Sequence, residues 1–389
     1  MVFTDWPAPT SEHLSLAEPF PGDRPLRLSS GAPLAPVQVA YETFGRLNDT
    51  RDNAVFVCHA LTGDSHPARH HADDAPGWWE TMVGPGRPVD TRRYFVICAN
   101  VVGGCAGTTG PWAPGPDGQP YAGAFPEITV ADMVGVHRAL LATLGIRRLR
   151  AVVGGSLGGM QALEWLLRHP RDADGFAIIA ATARQSADNL AWNAVARYAI
   201  RSSAAAAAGP AREAGLREGL GTARMIAHLT YLSERSLHRK FGRAPRRTGT
   251  RTHPSSLVQG DFAVESYLEH QADKFLRRFD AQSYLQLLGA MDHFDAFAVP
   301  DRLHTLDVLP DVLLYSFTSD RLFGPEHSEG IRTELAARGL SARHERDVTS
   351  DVGHDAFLLE VPGFLAVADR FLRGVDLRSG TLRDGLVPS

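Results

Sequence analysis

Ala151-Val152-Val153-Gly154-Gly155-Ser156-Leu157-Gly158-Gly159-Met160 is the stretch around which the chain is organised. Leu149 to Val153 is a short apolar, β-branched run and predicts a strand. The glycines allow a tight turn with φ > 0 where a Cβ would clash. Met160 to Leu167, with Leu163, Trp165 and Leu166, predicts a helix that ends at His169-Pro170. Gly154, Ser156 and Gly158 spell G-x-S-x-G between the two. Such a turn lifts the serine hydroxyl off the sheet. It also aims a helix N-terminus, with the free N–H of Leu157, at any oxyanion that forms there. The motif alone arises by chance in a chain with 37 glycines. The flanking strand and helix give it weight.

Outward from this turn, the chain alternates strand and helix. Ile128 to Leu144 has helical periodicity, and Gly145 caps it. Ala54 to Cys58 is a continuous apolar run, suited to a strand buried on both faces of a parallel sheet. It runs into His59-Ala60-Leu61-Thr62-Gly63, where the Leu61 N–H is the candidate second oxyanion donor. Pro36 to Phe44 alternates as a strand, and Tyr94 to Ala99 is another buried one. The glycine-rich loop Asn100 to Pro111 reads as too glycine-rich for core. It follows a strand's C-terminal end, where open α/β sheets bind ligands, and it lacks the G-K-[ST] of a P-loop. Cys105 within it reads as a packed thiol. His66, His70 and His71 have no carboxylate in a recognisable ligand pattern, so no metal is expected.

After the strand Phe176 to Ala180 the rhythm stops. Residues 183–298 show helical spacing without strands, as in Leu268, Phe275, Leu276, Phe279, Leu285, Leu288 and Met291. Ser202 to Gly209 is alanine-rich and reads as a helix end or loop. Arg243 to Arg251 reads as an exposed basic loop. The expected architecture is a core from residues 1–182 and 299–389 with an inserted helical lid, 183–298, that covers and shapes the pocket. Val312 to Phe317 resumes the sheet and leads into Asp320; Gly353-His354 precedes a last helix. Ser156, Asp320, His354 is the chain order of the α/β-hydrolase fold: a mostly parallel sheet flanked by helices. Asp311 precedes its strand, and Asp351 and Asp355 sit too near His354 in sequence to orient it. The implied chemistry is proton removal from Ser156 by His354, with Asp320 holding the imidazole and an acyl-serine intermediate forming. Water as the second nucleophile makes an esterase, and a bound hydroxyl makes an acyltransferase.

Composition narrows the partners. Hydrophobic residues are 44% and charged residues 22%, an ordinary globular balance. A net charge of -4 argues against nucleic acid. Cys58, Cys98 and Cys105 show no C-x-x-C spacing, so neither a disulfide framework nor a zinc site is expected. Met1 to His13 has no signal-peptide pattern and no segment reads as membrane-spanning, so a cytoplasmic location is expected.

The chain resembles the homoserine O-acetyltransferase family over roughly residues 25–375. The resemblance lies in Val39 to Asn48, Cys58 to His66, Gly103-Gly104-Cys105 with Gly107 to Pro111, and Gly154 to Trp165. It continues in Ala223 to Tyr231, Lys240 to Arg243, Val264 to Leu268, Phe279-Asp280-Ala281, Ala290-Met291-Asp292, Ser319 to Phe323 and Gly353 to Phe357. It implies a ping-pong reaction: acetyl-CoA, a co-substrate and not a bound cofactor, acylates Ser156, and the homoserine hydroxyl, deprotonated by His354, takes the acetyl group. It further implies that Arg224 grips the substrate carboxylate and Asp355 its ammonium, and that lid helices form a homodimer. Arg suits a planar carboxylate; the plainer readings are a surface ion pair for Arg224 and a helix N-cap for Asp355. The chain departs from the family between Ile200 and Gly219, where Arg201-Ser202-Ser203 and alanines replace an acidic, aromatic segment. That departure keeps L-serine open as acceptor. Relatives with this fold also use succinyl-CoA, but the intact Gly103–Pro111 loop favours acetyl.

Overall fold

The computed structural model describes residues 13–206, 211–246, 262–299 and 302–384. Its main sheet has eight strands: β1 (Ser15–Phe20), β2 (Val37–Phe44), β3 (Ala54–Cys58), β4 (Phe95–Ala99), β5 (Leu149–Gly155), β6 (Ala173–Ile179), β7 (Asp311–Phe317) and β8 (Arg343–Asp347). Their spatial order is β1-β2-β4-β3-β5-β6-β7-β8. Only β1 with β2 and β2 with β4 pair antiparallel; from β4 onward every pairing is parallel. This is the α/β-hydrolase arrangement expected from the chain order of the triad.

The central strands are apolar at every position because both faces of the sheet are covered. Phe56, Val152, Ile178 and Leu314 face one buried cluster; Val57, Val153, Ile179 and Leu313 face the other. Helices α1 (Val130–Thr143) and α2 (Leu157–Arg168) pack on the first face, where Trp165 and Met133 are fully buried. On the second face Phe364 and Leu372 of the C-terminal helix close the core. Gly145, at φ +69, follows α1, as its composition predicts.

Between β6 and β7 the described residues form helices α3 (Ala187–Ala205), α4 (Ala211–Tyr231), α5 (Glu234–Phe241), α6 (Ala263–Leu276) and α7 (Ala281–Asp292). The alanine-rich run enters the end of α3, and its residues 207–209 lie outside the described segments. Of the basic stretch, residues 247–251 also lie outside them, while Arg246 pairs with Glu269.

The glycine-rich loop corrects the sequence reading. Residues Val101 to Gly104 and Thr108 to Pro111 are buried, so the loop is core. Its threonines explain why this is tolerated. Thr108 Oγ1 accepts the Ala40 N–H at 2.9 Å and donates to the Asn100 carbonyl. Thr109 Oγ1 accepts the Gln38 N–H at 2.9 Å, and the Thr109 N–H returns to the Gln38 carbonyl. The loop therefore satisfies backbone groups of β2 beyond the end of its partner strand. Cys105 is half-buried there, burial pushes its thiol far above the ordinary range, and the inert packed reading holds.

Candidate active site

Ser156 stands between β5 and α2 with φ 58° and ψ -124°. The left-handed strain predicted for the neighbouring glycines falls on the serine itself; none of Gly154, Gly155, Gly158 and Gly159 has positive φ. Those glycines are needed for room. A Cβ on Gly158 would lie 2.1 Å from the Cys58 carbonyl oxygen, and one on Gly154 would lie 2.2 Å from the Gly158 carbonyl oxygen. Helix α2 also starts at Leu157, three residues earlier than its apolar spacing suggests, because the helix begins directly at the turn. Its first N–H groups have no intrahelical acceptor, which leaves the Leu157 N–H beside Ser156.

β7 ends at Phe317 and turns through Asp320. Asp320 Oδ1 accepts the N–H groups of Leu322 (2.8 Å) and Phe323 (2.9 Å), which fixes the carboxylate. Its Oδ2 accepts the His354 Nδ1–H at 2.7 Å. His354 Nε2 then accepts the Ser156 hydroxyl at 2.9 Å. All three side chains are buried. Burial disfavours the imidazolium of His354, yet the charge and hydrogen bond of Asp320, with Asp355 behind them, hold its pKa above the ordinary value.

The loop before His354 is pinned to the end of α4. The Ser233 N–H donates to the Val352 carbonyl at 2.8 Å, and Ser319 Oγ accepts the Gly353 N–H at 3.1 Å. Gly353 has φ +108°, and a Cβ there would lie 2.5 Å from Ser233 N. Of the competing acids, Asp351 forms ion pairs with Arg235 and Arg239, and Asp311 opens β7 at the far end of the strand.

Ser156 and Leu61 line a pocket with Trp192, Ile226, Tyr231 and Phe323. Helices α3, α4 and α7 all contribute to its wall. Arg224 on α4 lies beside it, with its guanidinium 4.7 Å from the Phe275 ring and 5.6 Å from the Tyr231 ring. Tyr231 in turn sits 5.9 Å from the His354 ring. The Arg224 Nε and Nη1 atoms are buried without a hydrogen-bond partner among the described residues, which rules out the surface ion pair. Asp355, in the short 3₁₀ turn His354–Leu358, is half-buried; burial raises its carboxyl pKa against the pull of His354 and Arg224. The guanidinium and the His354 ring thus flank one ring, that of Tyr231, which lines the pocket together with Ser156 and which sequence reasoning did not single out.

Two of the three histidines after the His59–Gly63 loop acquire a carboxylate that spacing alone did not offer. Glu42, buried on β2, accepts from His66 Nδ1 at 2.8 Å and His70 Nε2 at 2.9 Å through one oxygen, Oε2. The three ligand-type atoms lie within 4.8 Å of one another. His66 Nε2 donates to the Ala75 carbonyl at 2.8 Å, so both of its ring nitrogens donate. The hydrogen bond to Glu42 raises its pKa to about 9, so half-buried His66 forms an ion pair with the buried Glu42 carboxylate. His71 is not part of this group.

A profile for the alpha/beta hydrolase fold matches residues 53–361. The homoserine O-acetyltransferase of Rhodopseudomonas palustris (strain BisB18) is 44% identical over 373 residues, covering 94% of this chain and 92% of that protein. The homoserine O-succinyltransferase of Magnetococcus marinus (strain ATCC BAA-1437 / JCM 17883 / MC-1) is 46% identical over 378 residues, covering 93% and 94%. Among solved structures, homoserine O-acetyltransferase from Bacillus anthracis superposes with a TM-score of 0.79 at 25% identity, covering 93% of this chain and 98% of that one. Esterase E22, at 24% identity and a TM-score of 0.79, shares the fold over 92% of this chain and 99% of its own. By this identity along nearly the whole length, the chain belongs to the homoserine O-acetyltransferase family of the α/β-hydrolase fold.

Proposed function

We propose that the protein is an O-acetyltransferase that moves an acetyl group from acetyl-CoA through acyl-Ser156 to the side-chain hydroxyl of L-homoserine. The observation that carries this reading is the Ser156–His354–Asp320 relay opening on a pocket beside the Arg224 guanidinium, two of whose nitrogens are buried with no hydrogen-bond partner among the described residues. A hydrolase of simple esters has no use for that cation. An amino-acid acceptor does, because a carboxylate matches the guanidinium fork.

In the first half-reaction His354 takes the Ser156 proton and Oγ attacks the thioester carbonyl. The Leu61 and Leu157 N–H groups stabilise the tetrahedral oxyanion, and CoA leaves as the thiol with the proton from His354. In the second, Arg224 holds the homoserine carboxylate and Asp355 its ammonium. His354 then deprotonates the hydroxyl, which attacks the acyl-serine, and the acetyl ester departs as Ser156 regains its proton. Helices α3 to α7 act as the lid, within the segment 183–298. Leu190, Val195 and Tyr198 are exposed on α3, which supports a homodimer through the lid helices. No described helix is long and apolar enough to cross a membrane, and we place the enzyme in the cytoplasm.

The test is CoA release from acetyl-CoA with homoserine, serine or no acceptor, beside a Ser156→Ala control. Acceleration by homoserine over serine supports the reading. Acceleration by serine reassigns the acceptor, and hydrolysis indifferent to either makes the protein an esterase. Succinyl-CoA belongs in the same assay, because a relative 46% identical is named a succinyltransferase.

A further inference from the structure

The Leu61 and Leu157 N–H groups belong to segments that are distant in sequence, and one buried amide joins them. Gln161, fully buried on α2, donates from Nε2 to the His59 carbonyl (3.1 Å) and to the Leu157 carbonyl (3.3 Å). Its Oε1 accepts the Nε2–H of His137 at 3.0 Å, so the amide has one orientation that satisfies all its partners.

His59 is equally constrained. The Val101 N–H donates to its Nε2 at 3.0 Å, so the ring proton sits on Nδ1 and is donated to the Ala60 carbonyl at 2.8 Å. The Ala60 C=O and the Leu61 N–H are two ends of one planar trans peptide. Fixing the carbonyl therefore fixes the direction of the N–H. The Gly63 N–H donates to the same carbonyl at 2.9 Å, and a Cβ on Gly63 would lie 2.9 Å from the His59 Cβ. Burial lowers the His59 pKa, which keeps the ring in the neutral form that this bonding requires.

We propose that His59 and Gln161 are positioning residues that aim the two oxyanion donors. His59 sets the Ala60–Leu61 peptide plane, and Gln161 locks that loop to the first turn of α2. The inference rests on the acyl-serine reading above.

The experiment uses the full-length protein with Gln161→Met, which keeps length and loses both donors, and His59→Asn. Acetylation of Ser156 by 4-nitrophenyl acetate is followed in the pre-steady state, and the burst amplitude counts competent sites. The expected result is an acylation rate constant per competent site lower by about 10- to 100-fold, less than the loss of a whole oxyanion donor. The KM for acetyl-CoA stays within about twofold, and a boronic acid that forms a tetrahedral serine adduct binds more weakly by the same factor as the rate. A merely structural role lowers the burst amplitude or Tm and leaves the rate constant and boronate affinity per site unchanged; that result overturns the inference. If His59→Asn does not fold, Gln161→Met alone decides. A wild-type protein without a burst overturns the acyl-serine reading itself.

Discussion

Asp320→Asn is the substitution whose outcome the geometry constrains most tightly. Oδ1 of Asp320 is held by two backbone N–H groups, at 2.8 and 2.9 Å. Only a carbonyl-type oxygen accepts both, so the new amide must keep its oxygen there and turn its NH₂ toward His354. An NH₂ group facing Nδ1 forces the imidazole proton onto Nε2. That nitrogen, now 2.9 Å from Ser156 Oγ as an acceptor, then becomes a donor and cannot take the serine proton. The expected loss is on the order of 10⁴-fold in acylation rate, about 5 kcal/mol of transition-state stabilisation. Binding of acetyl-CoA and homoserine should change little, because neither is assigned a contact with Asp320.

A thermodynamic signature accompanies the kinetic one. The His354 pKa lies above its unfolded value, so its charged form stabilises the fold below about pH 6.5. That contribution disappears as pH rises through the folded pKa. Asn at 320 removes the charge that raises this pKa and leaves burial to lower it. Its stability deficit should therefore be larger at about pH 6 than at about pH 9. Stopped-flow acylation and thermal melts at both pH values are the assays. A folded variant within about tenfold of the wild-type acylation rate refutes the reasoning.

Further outcomes follow from the same geometry. Arg224→Met should raise the KM for homoserine at least about 100-fold and spare acylation by 4-nitrophenyl acetate; an unchanged KM contradicts the carboxylate role. The same variant should melt higher by about 1–2 kcal/mol of stability, because it removes buried donors that lack partners. Gly158→Ala puts a Cβ 2.1 Å from backbone oxygen and should destabilise by about 3 kcal/mol or more in denaturant titrations. For the wild type, kcat/KM should rise with pH through a value above about 6.5, since the neutral form of His354 is the base and its pKa is raised. A midpoint below 6 in the pH–rate profile contradicts that environment.

What the sequence made legible was local. The run from Leu149 to Leu167 carries its own strand, turn and helix signals; the strand before Leu61 is an unbroken apolar run, and the one before Asp320 is apolar except at Ser316. What it hid depends on tertiary placement. Glu42 meets His66 and His70 across 24 or more positions, so no ligand spacing announces it. The elbow glycines serve packing against Cys58 and Phe357, contacts that exist only once β3 and the His354 turn are in place. Gln161 and His59 looked like an ordinary helix residue and part of a loop, because their partners lie up to 102 residues away. The core position of the Asn100–Pro111 loop stays hidden because glycine content says nothing about Thr108 and Thr109 bonding the backbone of β2.

The central claim is that Ser156 carries the acyl group between donor and acceptor. Its most direct test is mass spectrometry of the intact protein mixed with acetyl-CoA, quenched before and after homoserine is added. The account predicts an acetyl adduct on the peptide bearing Ser156 that accumulates without acceptor and is discharged by homoserine as O-acetylhomoserine. A protein that produces O-acetylhomoserine with no adduct ever detectable on that peptide, or whose Ser156→Ala variant retains the activity, contradicts it.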